Sequence, residues 1–202
     1  MIKNYFRIAV RNLLKYRFIS FINLFGLTVG LTCCLLISLY ILNELSYDKY
    51  NTNADNIYRV NRTFYNTNGA LSLKLGSVSP PFGYYFPSEF PQIQKMTRLL
   101  QNGAIPTRYR DKIFNEKEMF FGDEHFFDVF SVKVLKGNPR AALNDPFSVM
   151  LTEEAAKKYF GEEDPVNKVI RFNSQFDCKV TGVYKAFPAN AHLHPGMLVS
   201  FN

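Results

Sequence analysis

Residues 19–42 read ISFINLFGLTVGLTCCLLISLYIL, 24 residues without a charged side chain. As a helix this run is about 36 Å long, enough to cross a hydrocarbon core of about 30 Å with some tilt. Its polar members (Ser20, Asn23, Thr28, Thr32 and Ser38) are small and uncharged. Such a run is too long and too apolar for the buried helix of a soluble domain. It is also about twice the length of a signal-peptide core, and no small-residue cleavage site follows it. Thr32 and Cys33 before Cys34 do not make a lipoprotein cleavage site, so an uncleaved transmembrane anchor is expected.

The flanks orient it. Lys3, Arg7, Arg11, Lys15 and Arg17 precede the run with no acid among the first 43 residues, whereas Glu44, Asp48 and Lys49 follow it closely. Cations concentrate on the cytoplasmic side of membrane spans, which places the amino terminus inside and the chain after about Asn43 outside. In residues 1–18, Ile2, Tyr5, Phe6, Ala9, Val10, Leu13 and Leu14 recur at helical spacing while Lys3, Arg7, Arg11 and Lys15 recur every four. That is a basic amphipathic helix for the cytoplasmic interface, its cations directed to anionic lipid headgroups. Gly26 and Gly30 form a G-x-x-x-G pair, a candidate helix-packing face within the span.

The chain has 202 residues, 24 Lys or Arg and 17 Asp or Glu, for a net charge of +7. Five of those charges lie within the first 17 residues, and residues 44–202 balance 19 basic side chains against 17 acidic ones. A broad basic surface for nucleic acid is therefore not expected.

Residues 44–202 read as a mixed α and β segment. Strands are expected at Ile57–Tyr65, Ile93–Leu100, Lys117–Phe121, Val132–Leu135 and Ser148–Leu151. Ser79-Pro80-Pro81 opens a short aromatic helix that Pro87 to Pro91 closes. Asp123 is expected to cap a turn or two of helix that puts Phe126, Phe127 and Phe130 on one face. Thr152 caps a helix from Glu153 to Phe160 that Gly161 stops. Asp164-Pro165 turns into a hairpin of Lys168–Phe172 with Phe176–Tyr184, and a last strand, Met197–Phe201, finds no partner in this reading and is expected to belong to a fold completed by further residues.

Chemistry is not evident. No G-x-x-x-x-G-K-[ST], G-x-G-x-x-G or G-x-S-x-G motif occurs. His192 and His194 lie two apart, as metal ligands on a strand would, but no third ligand is near, and a polar loop is the expected setting. Cys33 and Cys34 lie within the span and Cys178 is alone outside it, which excludes a disulfide within the outer segment. Glu153-Glu154 and Glu162-Glu163 read as caps and solvated faces beside lysines, and Asn61-Arg62-Thr63 as an accidental sequon. No catalytic, cofactor-binding or metal-binding residue is expected.

Four blocks in this order resemble the FtsX-like, MacB-like permease subunits of bacterial ABC transporters in their Bacteroidetes form: NYFRIAVRNLLKYRFISFINLFGLTVGL, NELSYDKYNTNADNIYRV, EHFFDVFSVKVLKGNPRAALNDPFSVMLTEEAAKKYFGEEDPVNKVI and KVTGVYKAFPANAHL. Where the family carries Gly after the Asp-Pro turn this chain has Asn167, which also tolerates a left-handed backbone. His194-Pro195-Gly196 likewise departs from the family's usual phrase. The resemblance implies an α+β architecture: a cytoplasmic amphipathic helix (1–18), a transmembrane helix (19–43) and an incomplete extracytoplasmic MacB-like core domain (44–202). It implies an inner-membrane permease that is not an enzyme and binds no cofactor. Its partners would be a cytoplasmic ABC ATPase, a second permease half or homodimer partner, and membrane lipids. It would couple ATP hydrolysis by the partner to extrusion of peptides, drugs or lipoproteins. The reading that competes with it is a single-pass receptor or sensor with an outer ligand-binding domain; a tethered hydrolase lacks a nucleophile and base.

Overall fold

The computed structural model describes residues 2–201. It divides into two compact units, residues 1–47 and 48–202, each described on its own. The first holds helices α1 (Ile2–Lys15) and α2 (Arg17–Leu45), separated by a break at Tyr16, whose φ of −109° and ψ of 52° leave the helical region. Helix α2 contains no buried residue, and the side chains of Phe18, Leu24, Leu35 and Leu42 are all exposed. It is long and apolar enough to cross a membrane. Both of its threonine hydroxyls are satisfied internally: Thr28 Oγ1 donates to the Leu24 carbonyl and Thr32 Oγ1 to that of Thr28, both at 2.8 Å, which removes the cost of placing them in hydrocarbon.

The second unit is built on strands. An antiparallel hairpin, β1 (Arg62–Tyr65) with β2 (Leu71–Leu75), stands as a two-stranded sheet. Helix α3 (Phe82–Glu89) follows, then β3 (Leu99–Gln101), β4 (Ile105–Tyr109), β5 (Lys112–Glu116), β6 (Met119–Gly122), α4 (Phe126–Val129), β7 (Val134–Lys136), β8 (Ser148–Thr152), α5 (Glu153–Phe160), β9 (Val169–Phe172), β10 (Phe176–Tyr184) and β11 (Met197–Ser200). Strands β3 to β11 form one mixed sheet in the order β3-β6-β11-β8-β10-β9-β4-β5, with β7 also pairing β10.

Strand β11 has two partners, which corrects the expectation that it has none. It runs parallel to β6 (Leu198 opposite Phe120) and antiparallel to β8 (Leu198 opposite Met150). Both partners lie far back in the chain, so no local pattern reveals them. Met197, Leu198, Val199 and Ser200 are all buried, as are all five residues of β8. Runs without polar alternation are what strands covered on both faces require.

One side of the sheet buries Val149, Leu151, Ile170 and Val180 together with Tyr159 and Phe160 of α5; the other buries Phe120, Phe126, Leu143, Met150, Tyr184 and Leu198. Helix α5 forms as its sequence directs: Thr152 Oγ1 accepts from the Ala155 N–H at 3.2 Å, and Gly161 ends it with a φ of 64°. The aromatic triplet also packs as expected, the Phe126 ring lying 5.1 Å from Phe127 and 5.0 Å from Phe130. The cap differs: His125 occupies that position, and the Asp123 carboxylate binds Arg98 instead.

Other expectations shrink or are joined by unforeseen elements. The strand expected over Ile57–Tyr65 is limited to β1, and that over Ile93–Leu100 to β3, because Pro91 and the polar stretch after it give no ladder. The hairpin of β4 and β5 escapes the sequence pattern because Pro106 interrupts its first strand and polar residues dominate its second. The β9–β10 hairpin turns through three residues, of which Asn173 and Ser174 are left-handed (φ 49° and 55°) and Gln175 donates its N–H back to the Phe172 carbonyl at 3.0 Å. Asn167 is left-handed too, at φ 66°. Gly182 and Gly137 let β7 and β10 approach: a Cβ on Gly182 would sit 2.3 Å from the Lys136 carbonyl oxygen, and one on Gly137 2.3 Å from that of Thr181.

Candidate functional site

Two features stand out, one in each unit. In the first unit, Gly26 and Gly30 lie one turn apart on α2, and a Cβ built on either meets nothing within 4 Å. Cys34 and Ser38 continue the four-residue spacing, so a strip of small side chains runs along an exposed helix. Backbones approach closely along such strips, with van der Waals contact as the driving force in lipid. Lys3, Arg7, Arg11 and Lys15 are exposed along α1. Arg17, the first residue of α2, donates from Nε to the Leu14 carbonyl at 3.1 Å and so closes the end of α1.

In the second unit, the segment that enters it is fastened by polar contacts. Asp48 is left-handed at φ 57°, and its backbone N–H donates to the Asn190 carbonyl at 3.0 Å. Its carboxylate accepts from the His192 backbone N–H at 3.0 Å and lies 2.7 Å from His192 Nδ1. Asn51 is buried, and its Oδ1 accepts from the Ser131 N–H at 3.0 Å, while the Thr52 N–H donates to Ser131 Oγ at 2.9 Å. The entering chain is thus tied both to the loop before β11 and to the loop between α4 and β7. That loop before β11 is pinned again where the buried Tyr184 hydroxyl donates to the Pro195 carbonyl at 2.6 Å; burial pushes this phenol far above its ordinary range.

Further nodes hold the sheet's two ends. Arg98 forms a two-pronged pair with Asp123, Nε to Oδ2 at 2.8 Å and Nη2 to Oδ1 at 2.7 Å. Its guanidinium carbon lies 4.6 Å from the Tyr84 ring centroid and 4.4 Å from that of Phe201. At the far edge Glu116 Oε1 accepts from Tyr159 Oη and from Lys158 Nζ, both at 2.6 Å. Burial and that carboxylate together drive the Tyr159 phenol far upward. Such bidentate and charge-assisted contacts fix geometry.

Among the described residues no group of three or more His, Cys, Asp or Glu is placed to hold a metal. His192 is committed to Asp48, and His194 is exposed on the same loop rather than beside it on a strand. Glu163 pairs with Lys168 and Arg110 on an exposed surface, as its reading as a solvated face requires. Cys178 is buried, and burial raises its thiol to about 11. The fastening at Asp48 and the Arg98–Asp123 pair were beyond sequence reasoning, since their partners are separated by 144 and 25 residues.

The model of the MacB-like periplasmic core domain family matches residues 20–201. The chain belongs to that family. The MacB-like periplasmic core domain is a domain of ABC transporter permeases, and its mixed sheet and helices account for the second unit here. Among solved structures, the chain is similar to a domain described as that of a permease protein from Porphyromonas gingivalis, with a TM-score of 0.59 and 23% identity over 69% of this chain and 60% of that one. That likeness is one of fold. It is also similar to the periplasmic region of MacB from Actinobacillus actinomycetemcomitans, with a TM-score of 0.43 and 21% identity over 57% of this chain and 54% of that one. A third likeness is to the extracellular domain of the ABC-type transporter YknZ from Gram-positive bacteria, with a TM-score of 0.39 and 20% identity over 52% and 55%. This MacB-like chain thus spans 54–60% of the length of the solved structures it resembles. No curated protein matches it.

Proposed function

We propose that this chain is permease machinery of an ABC transporter in the bacterial inner membrane. Residues 1–18 lie in the cytoplasmic interface, 19–43 cross the membrane and 44–202 stand outside as a MacB-like core domain. It performs no chemistry of its own. A cytoplasmic ABC ATPase hydrolyses ATP, and a second permease half or a second copy of this chain packs along Gly26 and Gly30. Movement of the membrane helices is passed to the outer domain, which drives peptides, drugs or lipoproteins away from the membrane. The observation that supports this reading is the family match, which runs from within the apolar helix through the end of the sheet-rich unit. The fastening of residues 48–52 to two loops of the sheet gives a pull on the entering chain a route into the central strands.

Affinity purification from membranes, with mass spectrometry of what accompanies the chain, tests the proposal. An ATPase carrying G-x-x-x-x-G-K-[ST] is expected, and less of it with Gly30→Leu, which obstructs the small-residue strip. Recovery of the chain with no ATPase contradicts the transporter reading and favours a self-contained receptor.

A further inference from the structure

The break at Tyr16 creates a crevice of about 570 Å³ between the two helices of the first unit, lined by Ala9, Asn12, Leu13, Tyr16, Ile19 and Ser20. Its walls are almost wholly apolar, as contact with an acyl chain requires. On α1, at 100° per residue, Ala9 and Leu13 lie on the face away from the stripe of Lys3, Arg7 and Arg11. Two cations flank the break itself. Lys15 Nζ lies 5.4 Å from the Tyr16 ring centroid, and Arg17 spends only its Nε on the Leu14 carbonyl, its terminal amino groups making no hydrogen bond among the described residues. No carboxylate occurs in the first 43 residues to neutralise them. The crevice therefore has an apolar floor, and the uncompensated cations on either side of Tyr16 in the chain serve as its rim, just before the uncharged run of residues 19–42 enters the membrane, the level at which lipid phosphates sit.

We propose that the elbow between α1 and α2 binds one anionic phospholipid, with an acyl chain against Leu13, Tyr16 and Ile19 and the phosphate held by Lys15 and Arg17. This rests on α2 crossing the membrane. It goes beyond a general attraction of basic residues to headgroups because it names one site, at which an anionic lipid is preferred over a zwitterionic one. A protein segment bound there would have to bring its own acid to match the rim, whereas the anionic lipids of a bacterial membrane present one at this depth.

The chain contains no tryptophan, so a single introduced Trp is an unambiguous reporter. Full-length Leu13→Trp, in phosphatidylcholine nanodiscs holding one-fifth brominated phosphatidylglycerol, reads lipid occupancy at the crevice by quenching; Leu31→Trp reads the general annulus in mid-span. The expected preference for phosphatidylglycerol over brominated phosphatidylcholine is about fivefold at Leu13 for each cation engaged, and about one at Leu31. Lys15→Gln with Arg17→Gln should bring the Leu13 value to about one. An equal preference at both positions, a preference that survives the double substitution, or a Leu13 reporter that no lipid quenches while Leu31 is quenched overturns the site. Absence of quenching at Leu31 by any brominated lipid refutes the membrane span itself, which separates the two failures.

Discussion

Replacing Leu198 by Ala tests the central position of β11. Leu198 is fully buried between Phe120 of β6 and Met150 of β8. Its Cδ1 would lie only 2.9 Å from a Cβ placed on Gly122, so the side chain fills its space closely. Truncation removes three carbons, a transfer loss of about 2.4 kcal/mol, and the neighbouring strands are too constrained to close the cavity. Adding the cavity brings the expected loss to about 3–4 kcal/mol, or a fall in melting temperature of about 6–16 °C for a unit of this size. Leu100 supplies the control, because it lies on the edge strand β3 and is 53% exposed; Leu100→Ala should cost at most about 1 kcal/mol. Both are read from near-ultraviolet circular dichroism of the full chain in nanodiscs, where α2 contributes little to the tertiary signal. If Leu198→Ala melted within 2 °C or so of Leu100→Ala, β11 would not be a central strand.

Asp123→Asn leaves Arg98 without its counter-charge while keeping the shape. With both side chains about 15% exposed, a loss of about 2–3 kcal/mol is expected by chemical denaturation, and Arg98→Lys should not be tolerated much better because it loses the fork and the stacking on Tyr84 and Phe201. Tyr184→Phe orphans the Pro195 carbonyl and should cost about 1–2 kcal/mol, with faster amide exchange across residues 190–196 as the confirming signal. The Glu163, Asp164 and Asp177 carboxyls are held below their ordinary values by Lys168, Lys136 and Arg171 respectively. Their contribution is present above the ordinary carboxylate range and is lost as pH falls through their lowered values; Glu163→Gln should therefore flatten the acid limb of a stability–pH curve. Cys178, buried with its thiol raised to about 11, should resist a thiol reagent at pH 8 until the domain unfolds. Rapid modification under native conditions would place it at the surface.

How much was legible follows from where each signal lies. Helix α5 carries its whole instruction locally, from the Thr152 cap to the Gly161 stop, and the β9–β10 hairpin needs only the turn residues between its strands. The apolar helix is legible because 24 uncharged residues admit few alternatives. Strand β11 could be recognised as a strand but not as a central one, since its place depends on Met119–Gly122 and Ser148–Thr152. The His192 and Asp48 pair shows the same limit: each residue alone is an ordinary polar side chain, and only the fold brings them to 2.7 Å. The four family-like blocks carried identity where physics gave none, because no motif in the sequence points to a chemistry.

The orientation of the chain across the membrane is the claim on which the account turns. Lys3→Cys and Asn68→Cys, the latter at the exposed tip of the β1–β2 hairpin, are introduced singly with Cys33 and Cys34 replaced by Ala, and intact spheroplasts are treated with a membrane-impermeant maleimide. The account predicts labelling of Asn68→Cys in intact cells and of Lys3→Cys only after lysis. Labelling of Lys3→Cys in intact cells, with Asn68→Cys protected until lysis, would contradict it.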